Sequence, residues 1–320
     1  MYEHAGGTWY PIFTGCFNVG APERYQLFTG GGGSPGVNAS MVPLAFPFAK
    51  MSGSLLYGGY DQNRVVSDVL AFEGDFWQAV TLQDVSIRVI KGSSPFEAIL
   101  DDNDTNKVAT GLLAKGNTTM APSGLTVLPD PCSPYFTLRK FTCDAAASHL
   151  PLIYKASLGL YLWNASSPRY KRIVASASAL SFTFMDGRNT ESLTIHVPFR
   201  RLNLMLSPPL SGEERAAGPV PCFTGGIGAY VMGCALFQDA FVSVNWEKNK
   251  IFLAQAPGPN IPAGVEAVST QPDEIAISGG GNDWEKSWDG YWTPLTADEA
   301  NGTSEMDVGT TNGSGGDAGC

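Results

Sequence analysis

The sequence predicts a mostly β protein. Only 16% of its 320 residues are charged, and the chain contains 37 Gly and 22 Pro. Low charge combined with many turn-forming and aromatic residues favours short strands joined by turns over a helical bundle. Residues 77–90 give the most direct signal, because apolar and polar side chains alternate there with the period of a half-buried strand.

Two pairs of apolar runs predict β-hairpins, since each pair flanks a short polar turn. They are residues 180–184 and 193–197 around Asp186-Gly187, and residues 241–246 and 251–254 around residues 247–250. Apolar runs at residues 54–60, 124–128 and 161–163 predict further short strands.

The clearest helix signal covers residues 143–150, where apolar side chains recur at helical spacing. Thr142 is the predicted N-cap, and Pro151 follows the predicted end.

Charge and hydropathy exclude several classes of partner. The net charge is −10, whereas a nucleic-acid partner requires a basic face. No run of eighteen apolar residues predicts a membrane span. The first seven residues lack the basic and apolar regions of a signal peptide, so this chain is not expected to carry one.

Six Asn-X-Ser/Thr sequons nevertheless favour an extracellular or secretory-pathway protein, because such sites are glycosylated on the surface of secreted proteins. The predicted glycosylation sites are Asn38, Asn103, Asn117, Asn164, Asn301 and Asn312.

No metal or cofactor is predicted. The six cysteines lack zinc-like CxxC spacing, and the acidic run at residues 101–104 lacks the spacing of an EF-hand loop. The glycine-rich residues 30–36 are not followed by the Lys-Ser/Thr pair of a phosphate-binding loop, which favours a flexible loop.

The candidate catalytic residue is Asp130, which stands on a Pro-rich loop after the strand predicted at residues 124–128. A carboxylate in this position corresponds to one half of an acid–base dyad, in which two carboxylates share one proton. The alternative is a turn residue that accepts local N–H bonds before Pro131. His149 and His196 lie near no serine or cysteine nucleophile motif, so they are predicted to be surface or core-edge histidines.

Several segments, in their order along the chain, resemble the pepsin-like aspartic endopeptidases (peptidase A1), in the divergent fungal branch. They are Gly20-Ala21-Pro22, residues 53–61, Ser133-Pro134-Tyr135 with Thr142-Cys143-Asp144, and residues 230–238 with 241–254. The resemblance covers residues 8–28 and 52–256. It implies two β lobes with a cleft between them, one catalytic aspartate from each lobe, and a polypeptide substrate.

This chain departs from the family pattern at both aspartates. The place of the first falls at residues 29–32, which contain no carboxylate, and only 33 residues separate Gly20 from Gly53, so most of the N-lobe is expected to be missing. The loop of the second reads Asp130-Pro131-Cys132-Ser133 where the family has Asp-Thr-Gly-Thr. Pro131 removes a backbone N–H and Cys132 adds a side chain where the family has none, so no proteolysis is expected.

Two alternatives remain open at this stage. The chain is a secreted, non-catalytic protein that binds a polypeptide or glycan, or it derives from an incomplete gene model. The oligomeric state is not predicted.

The predicted division has three parts. Residues 1–80 form a truncated N-lobe remnant with the lobe junction, residues 81–256 form a nearly complete pepsin-like C-lobe, and residues 257–320 form a disordered tail rich in Gly, Ser, Thr and acidic residues. As an alternative within the tail, Trp284, Trp288 and Trp292 could form a helical stripe for a partner or membrane.

The resemblance also implies a disulfide between Cys143 and Cys222. We further predict that Cys132 and Cys234 bridge, because the active-site loop and the Met232-Gly233 element lie against each other in the resembled fold. Such a bond would stabilise by roughly 2–4 kcal/mol, and it requires Cα atoms within about 7 Å. The partners of Cys16 and Cys320 are not predicted.

Overall fold

The structure is a computed structural model. It describes residues 2–3, 9–10, 59–73, 80–96, 107–113, 124–129, 136–156, 160–186, 190–203, 205–206, 216–217, 219–220, 222–223, 230–245, 249–261, 264–267 and 281–303. These residues are mostly β, as the composition and alternation predict.

The described residues contain twenty strands, most of them short: β1 (Tyr2–Glu3), β2 (Trp9–Tyr10), β3 (Gly59–Asp61), β4 (Leu70–Glu73), β5 (Val80–Lys91), β6 (Lys107–Ala109), β7 (Leu125–Pro129), β8 (Phe136–Thr137), β9 (Leu152–Lys155), β10 (Leu160–Trp163), β11 (Ala177–Met185), β12 (Ser192–Pro198), β13 (Met205–Leu206), β14 (Ala216–Ala217), β15 (Pro219–Val220), β16 (Cys222–Phe223), β17 (Tyr230–Met232), β18 (Ala240–Asn245), β19 (Lys250–Gln255) and β20 (Val265–Ala267).

In the described part of the chain, four α-helices and two 3₁₀ turns accompany these strands. The helices are α1 (Lys140–Ala147), α2 (Pro168–Ala175), α3 (Cys234–Phe237) and α4 (Ala297–Asn301), and the 3₁₀ turns are Gln62–Arg64 and Lys286–Trp288. Within the described residues, no helix is long and apolar enough to cross a membrane.

The central sheet has the order β12-β11-β5-β7-β17, and β6 also pairs with β5. β5 is twelve residues long, and it pairs antiparallel with both β11 and β7. Val85, Ile87 and Val89 are buried on its core side, as the alternation in residues 77–90 predicts. β17 pairs parallel with β7, at the edge of the sheet.

Both predicted hairpins are confirmed. β11 and β12 pair antiparallel, with Phe182 opposite Ile195, and β18 and β19 pair antiparallel, with Val242 opposite Leu253. The second hairpin extends through β4, which pairs with β19. The strands predicted at residues 124–128 and 161–163 correspond to β7 and β10, whereas only the end of the strand predicted at residues 54–60 lies within the described residues, in β3.

The main core lies between the central sheet and the segments that cover it. Phe136 and Phe182 are fully buried and meet edge to face with ring centroids 5.1 Å apart. Trp163 packs against Phe199 and donates its indole N–H to the Leu202 carbonyl at 3.0 Å. Burial of such large apolar groups is the main stabilising contribution to a domain of this kind.

Helix α1 begins at Lys140, three residues before the predicted start. The predicted N-cap, Thr142, is buried inside the helix, and Arg139 occupies the cap position without a side-chain cap bond. Lys140 and Asp144 lie one turn apart and pair at 2.7 Å, which favours the additional turn. The prediction failed because it took Thr142, a good cap type, as the boundary and ignored this ion pair.

The predicted disorder of residues 257–320 is wrong for residues 257–261, 264–267 and 281–303. Residues 281–303, here called the C-terminal strap, contain the 3₁₀ turn Lys286–Trp288 and helix α4. Trp284, Trp288 and Trp292 are buried and pack with Ala177 of β11, so they do not form an exposed stripe. Burial of their apolar area stabilises the packing of this Gly- and Asp-rich segment on the sheet.

Candidate functional site

The segment that leads to Asp130 lies beside the segment that leads to Cys234. Pro129, the last residue of β7, is opposite Met232, the last residue of β17, and the two strands are parallel. Parallel neighbours end at the same edge of a sheet, so the loop after β7 and the turn after β17 leave the sheet side by side. Val127 and Met232 are buried and anchor the two strands in the core.

The turn after β17 is compact. Gly233 accepts hydrogen bonds through its carbonyl oxygen from the backbone N–H groups of Leu236 at 2.9 Å and Phe237 at 3.3 Å, which begins α3 at Cys234. Asp130 and Cys132 lie outside the described residues. The Cys132–Cys234 bond therefore stays a prediction, and the parallel pairing of β7 with β17 is the arrangement that it requires.

Cys143 is buried in α1 and is disulfide-bonded. Strand β16, which carries Cys222, pairs parallel with β8 and contacts α1. This places the predicted partner on an adjacent element, and the identity of the Cys143–Cys222 pair stays a prediction.

His196 is a partly buried histidine beneath the C-terminal strap. Its Nδ1 lies 2.7 Å from the Ser181 hydroxyl oxygen, and the Trp284 ring lies 5.1 Å from its own ring. Burial, with a smaller contribution from Arg88, lowers its pKa from 6.5 to about 4. A neutral imidazole packed in this way acts as a polar contact for the strap. This partial burial agrees with the core-edge position that the sequence predicts, although the sequence gave no sign of the strap beside the ring.

His149 follows α1 and is half-buried. Burial lowers the pKa of its side chain, and its backbone carbonyl accepts a hydrogen bond from Arg169 of α2 at 3.2 Å.

Sequence reasoning missed the most strongly buried carboxylate among the described residues. Asp239 lies between α3 and β18 and is fully buried, and its Oδ1 is 3.9 Å from Nε of Arg201. Burial raises its pKa to about 7, against a lowering effect of Arg201. Neither carboxylate oxygen has a hydrogen-bond donor among the described residues.

Gln255 of β19 joins this buried site to His196. Its Nε2 donates to the backbone carbonyls of Asp239 at 2.8 Å and His196 at 3.1 Å, and its Oε1 accepts from the His196 backbone N–H at 2.6 Å. The Arg201 guanidinium lies 5.0 Å from the ring centre of Trp288. Because Asp239, Gln255 and Arg201 are buried, they form a polar framework and not an accessible catalytic centre.

A second polar cluster lies at the surface on α1 and β10. Nζ of Lys140 contacts both oxygens of Asp144, at 2.7 and 2.8 Å, and the Tyr161 hydroxyl donates to the same carboxylate. Burial and the bond to Asp144 raise the pKa of Tyr161 to about 12. The phenol is therefore a fixed hydrogen-bond donor at neutral pH and not a nucleophile.

An open groove of about 1090 Å³ runs between residues 65–70, the start of β12 and the first residues of the strap. It carries the carboxylates of Asp68 and Glu191 together with the polar side chains of Ser67 and Asn282. Among the described residues, no group of three or more His, Cys, Asp or Glu side chains could hold a metal ion.

Two of the six predicted glycosylation sites lie within the described residues. Asn164 is partly exposed and its Oδ1 accepts from the Ser166 backbone N–H at 3.2 Å, whereas Asn301 is exposed at the end of α4. Asn38, Asn103, Asn117 and Asn312 lie outside the described residues. Glycosylation at all six stays a prediction.

No protein-family model matches this chain, and no curated protein matches it.

Proposed function

We propose that this chain is a proteolytically inactive relative of the pepsin-like aspartic endopeptidases that acts in the secretory pathway or outside the cell by binding polypeptide. The observation that carries the proposal is the parallel pairing of β7 with β17, with Pro129 opposite Met232. This pairing supports the view that the strand leading to Asp130 and the Met232-Gly233 element form the scaffold of a pepsin-like lobe.

The chemistry of the Asp130 loop argues against catalysis. An aspartic dyad needs two carboxylates close enough to share one proton, so that one acts as base toward water and the other as acid. The sequence has no carboxylate at residues 29–32, where the resemblance places the first aspartate, and Pro131 removes an N–H from the loop of the second. Asp239 cannot replace the missing partner, because it is fully buried.

Asp239 and His196, whose pKa values are shifted, have a structural role instead. Asp239 is fully buried beside Arg201, and His196 is partly buried with its Nδ1 beside the Ser181 hydroxyl. Without the dyad, such a scaffold keeps a surface on which a polypeptide can bind. Binding of a polypeptide, unlike its cleavage, needs no acid–base pair.

The proposal is tested by incubating the full chain with an unfolded protein substrate at pH 3 to 5, alongside Asp130→Asn. Neither protein is expected to cleave the substrate above the rate of a buffer control. Cleavage by the unmodified chain that disappears in Asp130→Asn would show that a second carboxylate acts with Asp130, and the chain would then be an active endopeptidase.

A further inference from the structure

The exposed large apolar side chains among the described residues occur in two neighbouring elements. Phe141 of α1 is 68% exposed, and Ile153 and Tyr154 of β9 are 55% and 39% exposed. The two elements meet through Lys140, whose ammonium group lies 4.8 Å from the ring centre of Tyr154. Ile153 and Tyr154 are consecutive residues of β9 and point to opposite faces of the strand, so a single added strand could cover both of them.

This part of the chain is also basic, in contrast to the rest. Residues 131–185 contain six Lys or Arg and a single acidic residue, Asp144, so their net charge is +5 and the other residues carry −15 of the total of −10. Lys155 is exposed at the end of β9. Arg169 of α2 donates a hydrogen bond to the backbone carbonyl of His149, so a further cation lies near the segment that precedes β9.

Strand β9 forms the edge of its sheet. The sheet has the order β15-β10-β9, and among the described strands β9 pairs only with β10. An edge strand presents a row of backbone N–H and C=O groups that a further strand can pair. Three of the four residues of β9 are exposed, so its side chains do not block the approach of a partner.

We propose that an extended, acidic polypeptide segment binds here by adding a strand to β9. The surface comprises the β9 backbone with Phe141, Ile153, Tyr154, Lys140 and Lys155, and is called the β9 patch. Backbone hydrogen bonds to β9 hold the segment, and apolar side chains of the segment cover Ile153 and Tyr154 on alternate faces. Its carboxylates lie near Lys155 and the other cations, so the charge of the segment is opposite to that of the patch.

The edge strand is the reason to infer a polypeptide and not a membrane. Exposed apolar groups beside cations also suit an anionic lipid surface. A bilayer, however, leaves the unpaired N–H and C=O groups of a sheet edge unsatisfied in an apolar medium, which is costly. A polypeptide strand satisfies them.

The test uses the full chain and a defined probe, a fluorescein-labelled, end-capped octapeptide of alternating Glu and Val. Binding is followed by fluorescence anisotropy at low salt. Ile153→Ser and Lys155→Glu are each expected to weaken binding by about tenfold, and added salt is expected to weaken it further. Both positions are exposed, so the variants should keep the Tm of the parent protein.

Two controls separate the β9 patch from general charge attraction. Lys286→Glu makes the same charge change on the strap, at a side chain that is 78% exposed, and it should leave binding unchanged. A probe with Pro in place of each Val keeps the charge but loses backbone donors, and it should not bind.

The inference is overturned if the Glu-Val peptide does not bind the parent chain, or if Lys155→Glu and Lys286→Glu have equal effects. It is also overturned if the chain binds phosphatidylserine vesicles through Ile153 and Lys155 while it ignores the peptide. The inference rests on the proposed function only in taking a polypeptide as ligand. Asp130-dependent cleavage would defeat that proposal and leave β9 binding intact, whereas failed peptide binding would defeat the β9 patch without creating protease activity.

Discussion

His196 shows how the environment of a single residue decides its chemistry. Ser181 and Trp284 contact the imidazole, and the Arg88 cation adds repulsion to the cost of burying a charge. The imidazole is therefore neutral near pH 7 and acts as a polar contact beneath the strap.

Acidification should weaken the fold through this histidine. Its pKa falls from 6.5 in the unfolded chain to about 4 in the folded one, so its stabilising effect is fully present above about pH 6.5 and is lost as the pH falls toward 4. Between pH 7 and pH 4.5 this loss amounts to about 2–3 kcal/mol. We expect His196→Gln, which keeps a polar group and removes the titration, to lose less stability over this range, as measured by urea unfolding at both pH values.

His149→Gln is the matched control, because it makes the same change at a half-buried side chain. It should alter the pH dependence less than His196→Gln does. Equal pH profiles for the parent and His196→Gln would show that the strap does not lower the pKa of this imidazole.

At the scale of elements, the strap joins several parts of the fold. Isolated bridges pair Leu295 with Gly92 and Thr293 with Ser176, and Gly258 donates its N–H to the Ser287 hydroxyl at 2.7 Å. Gly92 has a φ of 87°, and the nearest backbone atom of Leu295 would lie 2.6 Å from a Cβ at this position, so the strap can approach this closely because residue 92 is glycine.

Replacement of Trp288 should release the strap. Its ring is 1% exposed, stacks on Trp292 with centroids 5.8 Å apart, and lies beside the Arg201 guanidinium. Deletion of a buried Trp side chain costs about 3–5 kcal/mol. Because the three strap indole N–H groups have no hydrogen-bond partner among the described residues, we expect the lower end of that range for Trp288→Ala. Hydrogen exchange across residues 281–303 should then approach that of an unfolded segment.

Lys286→Ala, on the same 3₁₀ turn but largely exposed, should leave this exchange unchanged. If protection of residues 281–303 survives Trp288→Ala, the strap is held by its backbone bridges and not by its tryptophans.

The accuracy of the sequence predictions also differs among elements for physical reasons. The β11–β12 and β18–β19 hairpins were predictable because each depends on contacts close in sequence: two alternating runs and a turn. The strap was missed because its overall composition, rich in Gly and Asp, predicts disorder and hides the contribution of three tryptophans. The partners of these tryptophans, such as Ala177, lie over a hundred residues away in the sequence. One local signal was available, the capping box formed by Thr296 and Glu299 at the start of α4.

The candidate site was only partly predictable. The motif order along the chain pointed to adjacent segments around residues 129 and 232, and β7 and β17 are indeed neighbours. Asp239 and Arg201 could not be paired from sequence, since 38 positions separate them and neither belongs to a motif. The β9 patch could not be predicted either, because it depends on which side chains are exposed in the folded chain. Only the net charge of +5 in residues 131–185 could be read from the sequence.

For the whole molecule, the stabilising contributions of Asp239 and His196 respond to pH in opposite directions. Asp239 has a pKa of about 7 in the folded state, against 3.8 as a model value. Its favourable contribution is therefore fully present below about pH 3.8 and is lost as the pH rises through 7. His196 loses its contribution as the pH falls over nearly the same interval, so the two effects partly cancel in the parent protein.

Asp239→Asn should remove the contribution of Asp239 to this pH dependence. The amide keeps the shape of the side chain and carries no charge, so it avoids the cost of a buried carboxylate that increases as the pH rises. Relative to the parent, the variant should gain up to about 4 kcal/mol in unfolding free energy between pH 4 and pH 8. The nearby Arg201 cation is already included in the shifted pKa, and its attraction limits the gain. Urea unfolding of both proteins at pH 4 and pH 8 gives the measurement, with Asp68→Asn as a control at an exposed carboxylate. A variant that instead loses stability relative to the parent as the pH rises would show that the attraction between Asp239 and Arg201 exceeds the cost of burying the carboxylate.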